Sequence, residues 1–125
     1  MRAKLITCLL MVIVFLYACK KAAGVGGKNE INGSVMYYNP VTASNNPAPK
    51  ATIYVTYGSN TSTSQYNQAI LTDDNGKFII EGLEKGDYFL RAAYKDENGF
   101  NYSSPGYGII LKNKKIKVEL NFIVE

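Results

Sequence analysis

Few residues in this 125-residue sequence could carry out chemistry on their own. Histidine and tryptophan are absent, and the two cysteines are Cys8 and Cys19. Without histidine the chain lacks the commonest general base, the usual partner of a nucleophilic serine or cysteine, and the commonest metal ligand. Most hydrolase and metalloenzyme activities are thereby excluded. We expect no catalytic residue, no cofactor and no enzyme activity.

Two runs of acidic and amide side chains are the remaining candidates for a metal site. They are Asp73-Asp74-Asn75-Gly76 and Asp96-Glu97-Asn98-Gly99. Calcium takes several oxygen ligands, but neither run has the alternating oxygen spacing and distal glutamate of an EF-hand loop. The Asn-Gly pair that ends each run is typical of a tight turn, where a positive φ is tolerated. We therefore predict two turns and no metal site.

The first eighteen residues have the pattern of a targeting sequence. Arg2 and Lys4 precede an uncharged run from Leu5 to Ala18. As a helix these fourteen residues would span about 21 Å, less than the ~30 Å hydrocarbon core of a bilayer. The run therefore predicts a signal peptide rather than a permanent transmembrane helix.

The uncharged run ends at Leu16-Tyr17-Ala18-Cys19. This sequence resembles the lipobox of bacterial lipoproteins, in which leucine, a small residue, alanine or glycine, and cysteine follow one another; Tyr17 departs from the small residue. The resemblance implies that the leader, residues 1–18, is removed and that Cys19 becomes the lipid-attached first residue, carrying palmitate-type acyl chains in the membrane. A plain signal peptide and an uncleaved anchor are the alternatives.

The residues that follow Cys19 bear on location. Lys20, rather than aspartate, stands next to Cys19, which by the same resemblance implies the outer membrane. No acidic cluster lies near Cys19, which favours an orientation toward the periplasm over exposure at the cell surface. Residues 19–29 include three glycines and no large apolar side chain except Val25, so a flexible tether is expected before a domain at 30–125.

The charge balance argues against nucleic acid as a partner. The formal net charge is +4, and the chain after residue 18 has twelve basic and ten acidic residues, leaving +2. Nucleic-acid binding needs a larger, clustered excess of cations. The length allows a single domain.

From Glu30 onward the sequence alternates apolar and polar residues with a period of two, and turn residues interrupt it every eight to twelve positions. The clearest example is Ile116 to Val124, where lysine, glutamate and asparagine separate the apolar residues. This pattern predicts strands with one buried face, and hence an all-β sandwich or barrel. Seven strands are predicted, near 30–38, 51–58, 67–72, 77–81, 86–94, 106–112 and 115–125.

One stretch carries a recognisable family pattern. An Asn-Gly turn at Gly76 leads into Phe78 and Ile80, and then come Gly82-Leu83, Gly86, Tyr88 and Leu90. The stretch resembles the signature of carboxypeptidase regulatory-like domains, and Gly33-Ser34-Val35 and Pro49 to Val55 fit the opening of that family. The resemblance covers residues 30–94 and implies a transthyretin-like (prealbumin-like), seven-stranded antiparallel Greek-key sandwich. Leu83 should then close one end of the core, and Tyr88 should enter the core with its hydroxyl at the wet edge.

By the same alternation, four large side chains are expected to point away from the core. They are Met36, Tyr38, Tyr54 and Phe89. If adjacent, they could stack on sugar rings or anchor a protein partner. Strands also favour tyrosine and phenylalanine without any binding role.

These observations favour a non-catalytic, lipid-anchored cell-envelope protein that serves as an interaction or scaffolding module, with an envelope protein as partner. The alternative is a carbohydrate-binding lipoprotein that uses the Tyr38, Tyr54 and Phe89 face.

Overall fold

The computed structural model describes residues 22–113 and 115–125, and the predicted signal peptide and Cys19 lie outside these residues. Within them the chain forms nine strands and no helix, so the all-β prediction is confirmed. Accordingly, this part of the chain holds no helix long and apolar enough to cross a membrane. The strands are β1 (Val25–Asn39), β2 (Ser44–Pro47), β3 (Thr52–Tyr57), β4 (Gln68–Leu71), β5 (Lys77–Leu83), β6 (Gly86–Lys95), β7 (Asn101–Ser103), β8 (Tyr107–Leu111) and β9 (Lys117–Val124).

The strands form two sheets, each built around one long central strand. In the first sheet, β9 pairs in parallel along β1 from Glu30 to Tyr37, so β5 and β2 share the other edge of β1. In the second sheet, β3 lies on one edge of β6 with β4 beyond it, and β8 and β7 divide the other edge. Reciprocal backbone hydrogen bonds of 3.1 Å between Ser103 and Glu125 join the sheets at one corner.

The strand count and one pairing differ from the sequence expectation. The expectation of seven antiparallel strands is wrong for the described residues, because β1 and β9 run parallel and two short strands, β2 and β7, are added. These two strands have four and three residues, too few to show a period of two.

The core lies between the sheets, as the alternation predicted. Inward side chains of β1, β5 and β9 pack against those of β3, β6 and β8, and all of the buried hydrophobic residues lie between Ile31 and Val124. The largest that are fully buried are Tyr88, Phe122, Ile31, Ile53, Leu83, Leu90 and Leu111.

The segment expected to be a tether belongs in large part to the domain. Val25 pairs with Leu83, Glu84 N–H donates to the carbonyl of Gly24 over 2.8 Å, and Asn29 is fully buried. The predicted tether, 19–29, is therefore wrong for the described residues 22–29. Gly27, one of the glycines that suggested flexibility, is needed for close packing, since a Cβ there would lie 2.1 Å from the carbonyl oxygen of Leu83.

Tyr88 holds this first segment in place. Its side chain is fully buried, and its hydroxyl accepts the Gly24 N–H over 2.9 Å and donates to the Glu84 carbonyl over 2.6 Å. The placement of Tyr88 in the core is confirmed, as is that of Leu83, but the hydroxyl is bound to backbone rather than to solvent. Burial raises the pKa of Tyr88, and the hydrogen bond from Gly24 opposes that rise.

The two acidic runs form turns. Oδ1 of Asp73 accepts the N–H groups of Asn75 and Lys77, and Oδ1 of Asp96 accepts those of Asn98 and Phe100, each over 2.9 Å. The turn interpretation is thus confirmed, because each carboxylate is occupied by its own backbone.

We predict that Tyr88→Phe lowers the free energy of unfolding by about 2 kcal/mol, because the buried hydrogen bonds that its hydroxyl makes with the Gly24 N–H and the Glu84 carbonyl are lost. Urea denaturation measures the change. Tyr38→Phe is the matched control: the Tyr38 hydroxyl has no hydrogen bond to a described residue, so its loss should change stability by less than about 0.5 kcal/mol. Equal losses in the two variants would contradict the role of the Tyr88 hydroxyl.

The raised pKa values of four tyrosines also predict a loss of stability at high pH. Desolvation raises the pKa of Tyr57, Tyr88, Tyr94 and Tyr102 above the ordinary value of 10.0. Between the unfolded and folded pKa values the unfolded chain has lost protons that the folded chain keeps, so unfolding becomes easier as pH rises. We expect this contribution to be fully present below pH 10.0 and to be lost above it. Phenolate absorbance of the native protein should lag behind that of the urea-unfolded protein; coincident curves would refute this.

Candidate functional site

The structure divides the four predicted surface residues between the two sheets. Met36 and Tyr38 lie on β1 in the first sheet, and Tyr54 and Phe89 lie on β3 and β6 in the second. Because the sheets share one core, their outer faces point in opposite directions. The four residues therefore do not form one patch.

Phe89 is not a surface residue. It is only 7% exposed, and a Cβ on Gly106 would lie 2.1 Å from its Cζ atom. Phe89 does point away from the core, but the segment between β7 and β8 covers its ring. The expectation of an exposed Phe89 is therefore wrong, because alternation gives the direction of a side chain and not what a distant segment places over it.

Tyr54 is the centre of a small cluster on the outer face of the second sheet. Tyr54 and Arg91 stand directly opposite each other in the β3–β6 register, and the guanidinium carbon lies 4.4 Å from the centre of the Tyr54 ring. Tyr66 contacts the same ring, with 4.8 Å between ring centres and 57° between planes. We call Tyr54, Tyr66 and Arg91 the Tyr54 cluster.

Tyr66 was missed by the sequence analysis because it lies between β3 and β4, in a polar stretch without alternation. The structure fastens this stretch to β3 on both sides of Tyr66. The Thr56 hydroxyl donates to the Gln65 carbonyl over 2.6 Å, and Asn67 N–H donates to the Val55 carbonyl over 2.8 Å. Tyr66 is thus held in place while 52% of its surface stays exposed. The sequence signal that could have identified Tyr66 is its position as a single tyrosine among serines, threonines and asparagines.

Arg91 is positioned by the ring and left open to a ligand. Its guanidinium has no hydrogen bond or ion pair with any described residue, although its side chain is half-buried. The five N–H donors of a guanidinium lie in its own plane, and its contact with an aromatic ring uses none of them for a hydrogen bond. Such a group can bind a carboxylate, sulfate or phosphate through two parallel hydrogen bonds.

A shallow groove of about 430 Å³ adjoins Tyr54. Lys50 and Lys95 line it, together with polar groups of Thr52, Asn101 and Ser103, and no aspartate or glutamate is among the described residues that do so. On the outward-facing positions of β6 the acidic residue is Asp87, four residues from Arg91 and hence about 13 Å away along the strand. The charged side chains that line the groove beside the Tyr54 cluster are therefore both cations.

The outer face of the first sheet has a larger groove, of about 690 Å³, and several of its polar side chains already hydrogen-bond neighbouring groups. Oδ1 of Asn121 accepts both the N–H and the hydroxyl of Ser34, over 3.1 and 3.0 Å. Asn32 donates to the Glu30 carboxylate over 2.8 Å. Met36 and Tyr38 continue this face beyond the groove. Its side chains offer a ligand fewer free donors than the Tyr54 cluster does.

The described residues contain no group of three histidine, cysteine, aspartate or glutamate side chains placed to hold a metal ion. The Tyr54 cluster has the side chains needed to bind a ligand. It has a fixed cation, an exposed ring and neighbouring lysines, but no nucleophile paired with a base.

No family model and no curated protein sequence matches this chain. Solved structures do resemble it. A minor pilin of Streptococcus agalactiae has 14% identity and a TM-score of 0.55, over 80% of this chain and 45% of the pilin. A candidate carbohydrate-binding protein of Pseudomonas aeruginosa has 14% identity and a TM-score of 0.49, over 84% and 93% of the two chains.

The major pilin subunit of Bacillus cereus has 15% identity and a TM-score of 0.47, over 76% and 30%. This chain thus spans less than half the length of either pilin. At such identities the likeness concerns the fold alone: the chain is a β-sandwich similar to that of a bacterial minor pilin.

Proposed function

We propose that this protein is a non-catalytic, lipid-anchored module of the bacterial cell envelope, which binds a partner through the Tyr54 cluster. Cys19 carries the acyl chains, in the outer membrane and facing the periplasm, and the domain is a carboxypeptidase regulatory-like, transthyretin-like sandwich. The lipobox pattern at Leu16 to Cys19 supports the anchor, and the signature from Gly76 to Leu90 supports the domain family.

The observation that carries the binding role is the state of Arg91. An arginine that is half-buried against a ring and has no hydrogen-bond partner among the described residues has its donors in place for another molecule. Arginine and tyrosine are also the residue types that contribute most to protein interfaces. An envelope protein with an exposed carboxylate fits this surface.

Carbohydrate is the second candidate ligand, and Tyr66 favours it. This exposed ring lies beside Tyr54 and offers an apolar face to a pyranose, while Thr52, Asn101 and Ser103 line the neighbouring groove with groups that can hydrogen-bond sugar hydroxyls. Met36 and Tyr38 lie on the opposite face and take no part in binding either candidate ligand.

The anchor predicts a specific labelling result. Cells that express the protein and are fed a palmitate analogue should label the wild type, whereas Cys19→Ser should lose the label and move to the soluble fraction. Cys8→Ser is the matched control and should stay labelled, because Cys8 lies in the leader. Continued labelling of Cys19→Ser would refute the lipobox interpretation.

The Tyr54 cluster predicts which substitutions abolish binding. If the ligand is a glycan, Tyr66→Ala should weaken binding on a glycan array by about tenfold, since one stacked ring contributes about 1–1.5 kcal/mol. Tyr38→Ala, an exposed tyrosine on the other sheet, should bind like the wild type.

If the ligand is an envelope protein, no glycan binds, and Arg91→Gln removes the partner from cross-linked complexes while Tyr38→Ala retains it. Binding that survives both Tyr66→Ala and Arg91→Gln would contradict the proposed site.

A further inference from the structure

The lysines of this chain are concentrated in three segments that are distant in sequence. Eight of the twelve basic residues after Cys19 lie within residues 20–28, at Lys85, or within residues 112–117. Five of them are described by the structure, and all five are exposed: Lys28, Lys85, Lys112, Lys115 and Lys117. The sequence alone did not reveal this cluster, because the overall excess of basic residues is small.

The topology brings the described parts of the three segments to one end of the sandwich. β1 begins there, and β5 ends there because Val25 pairs with Leu83. β9 starts at the same level, with Lys117 opposite Glu30, and β8 ends there, with Leu111 opposite Gly86. We call the described residues 22–29, 84–85, 112–113 and 115–117 the basal end.

A buried amide fixes the most basic of these segments. Asn29 is fully enclosed, and its amide group donates to the carbonyl of Asn113 over 2.8 Å while its Oδ1 accepts the N–H of Ile116 over 2.8 Å. Both contacts reach the β8–β9 loop, whose sequence from Lys112 contains Lys-Asn-Lys-Lys. The first strand thus fixes the loop at the end of the domain where β1 begins.

The two ends of the sandwich differ in charge. Among the described residues the basal end itself has five lysines and one acidic residue, Glu84, while Glu30, Glu81 and Asp87 lie on the rungs next to it. Glu30 is engaged by Asn32. The opposite end, which holds the turns at 40–43, 73–76 and 96–99, has Lys50, Lys77 and Lys95 against Asp73, Asp74, Asp96, Glu97 and Glu125. The basal end is therefore positive and the opposite end negative.

We propose that the basal end is a membrane-docking surface, which binds the phosphates of anionic phospholipid headgroups. Cys19 lies three residues before Ala22, so an acyl chain on it would enter the bilayer within about 11 Å of the first described residue. Lys20 and Lys21 stand in that interval. Each lysine near an anionic membrane strengthens binding by about fivefold, and the contribution is lost beyond a Debye length of about 8 Å. The chemistry favours a membrane over nucleic acid, because eight of the twelve basic residues after Cys19 belong to the segments nearest in sequence or topology to the proposed anchor.

Two consequences follow. The strands stand upright on the membrane, with the negative end pointing away from the headgroups. This orientation rests on the proposed lipidation of Cys19, whereas headgroup binding by the lysines does not.

The test separates membrane binding by the lysines from membrane binding by an acyl chain on Cys19. The chain from residue 19 with Cys19→Ser, which has the whole described core but no acyl chain, is sedimented with vesicles of phosphatidylglycerol and, separately, of phosphatidylcholine. Binding to phosphatidylglycerol and not to phosphatidylcholine is expected. Lys115→Glu should weaken it by about thirtyfold, because two units of charge change at the surface.

Lys77→Glu is the matched control. It makes the same change in net charge at an exposed position of the opposite end, and it should alter binding by less than about threefold. Equal losses in the two variants, or equal binding to the two lipids, would overturn the proposal. If the leaderless protein binds phosphatidylglycerol specifically but the wild type takes up no palmitate analogue at Cys19, the docking surface is upheld and the anchor is refuted. The two proposals therefore fail separately.

Discussion

The rest of the structure depends on the hydrogen bonds that the buried Tyr88 hydroxyl makes with the backbone. A buried hydroxyl must find partners, and the available ones are backbone groups of Gly24 and Glu84. Their bonds tie the segment just before β1 to the turn between β5 and β6. From this one constraint follows the position at which the segment after Cys19 meets the domain, and hence which end of the sandwich would face a membrane.

The same constraint explains why β1 is so long and so central. β1 has fifteen residues and starts beside Tyr88. One of its edges pairs first with β5 and then with β2, and its other edge pairs with β9. Close approach on the β9 side requires glycine at position 33, where a Cβ would lie 1.7 Å from the Leu120 carbonyl oxygen. The parallel pairing places the beginning of β9, and with it the lysine-rich loop, at the end where β1 starts. Topology, rather than overall composition, thus concentrates the charge.

The alternation of side chains was enough to predict the all-β fold and most of the core, because period two follows from the strand geometry itself. Ile31, Val35, Ile53, Val55 and Phe122 are all fully buried as expected. Sheet membership could not be predicted in this way, since a period of two says which face of a strand is buried and not which strand lies beside it. Phe89 and Tyr66 were misjudged or missed for a related reason: their exposure is decided by segments that carry no alternation.

The Tyr54 cluster differs from an ordinary surface patch in how much of it is already ordered. Tyr54 and Arg91 stand on adjacent strands of the second sheet, and hydrogen bonds from β3 hold both neighbours of Tyr66. Binding there would cost little additional side-chain entropy, which is a main penalty when long flexible residues such as arginine are immobilised. Tyr54 lies three residues from Tyr57, whose ring adjoins Gly24 at the basal end, so the cluster stands about 10 Å along β3 from that end. With the basal end on headgroups, the cluster would face sideways just above the membrane. A partner that extends along the membrane could reach it, such as an envelope polymer or a neighbouring envelope protein, since either can approach the side of an upright sandwich without displacing its base.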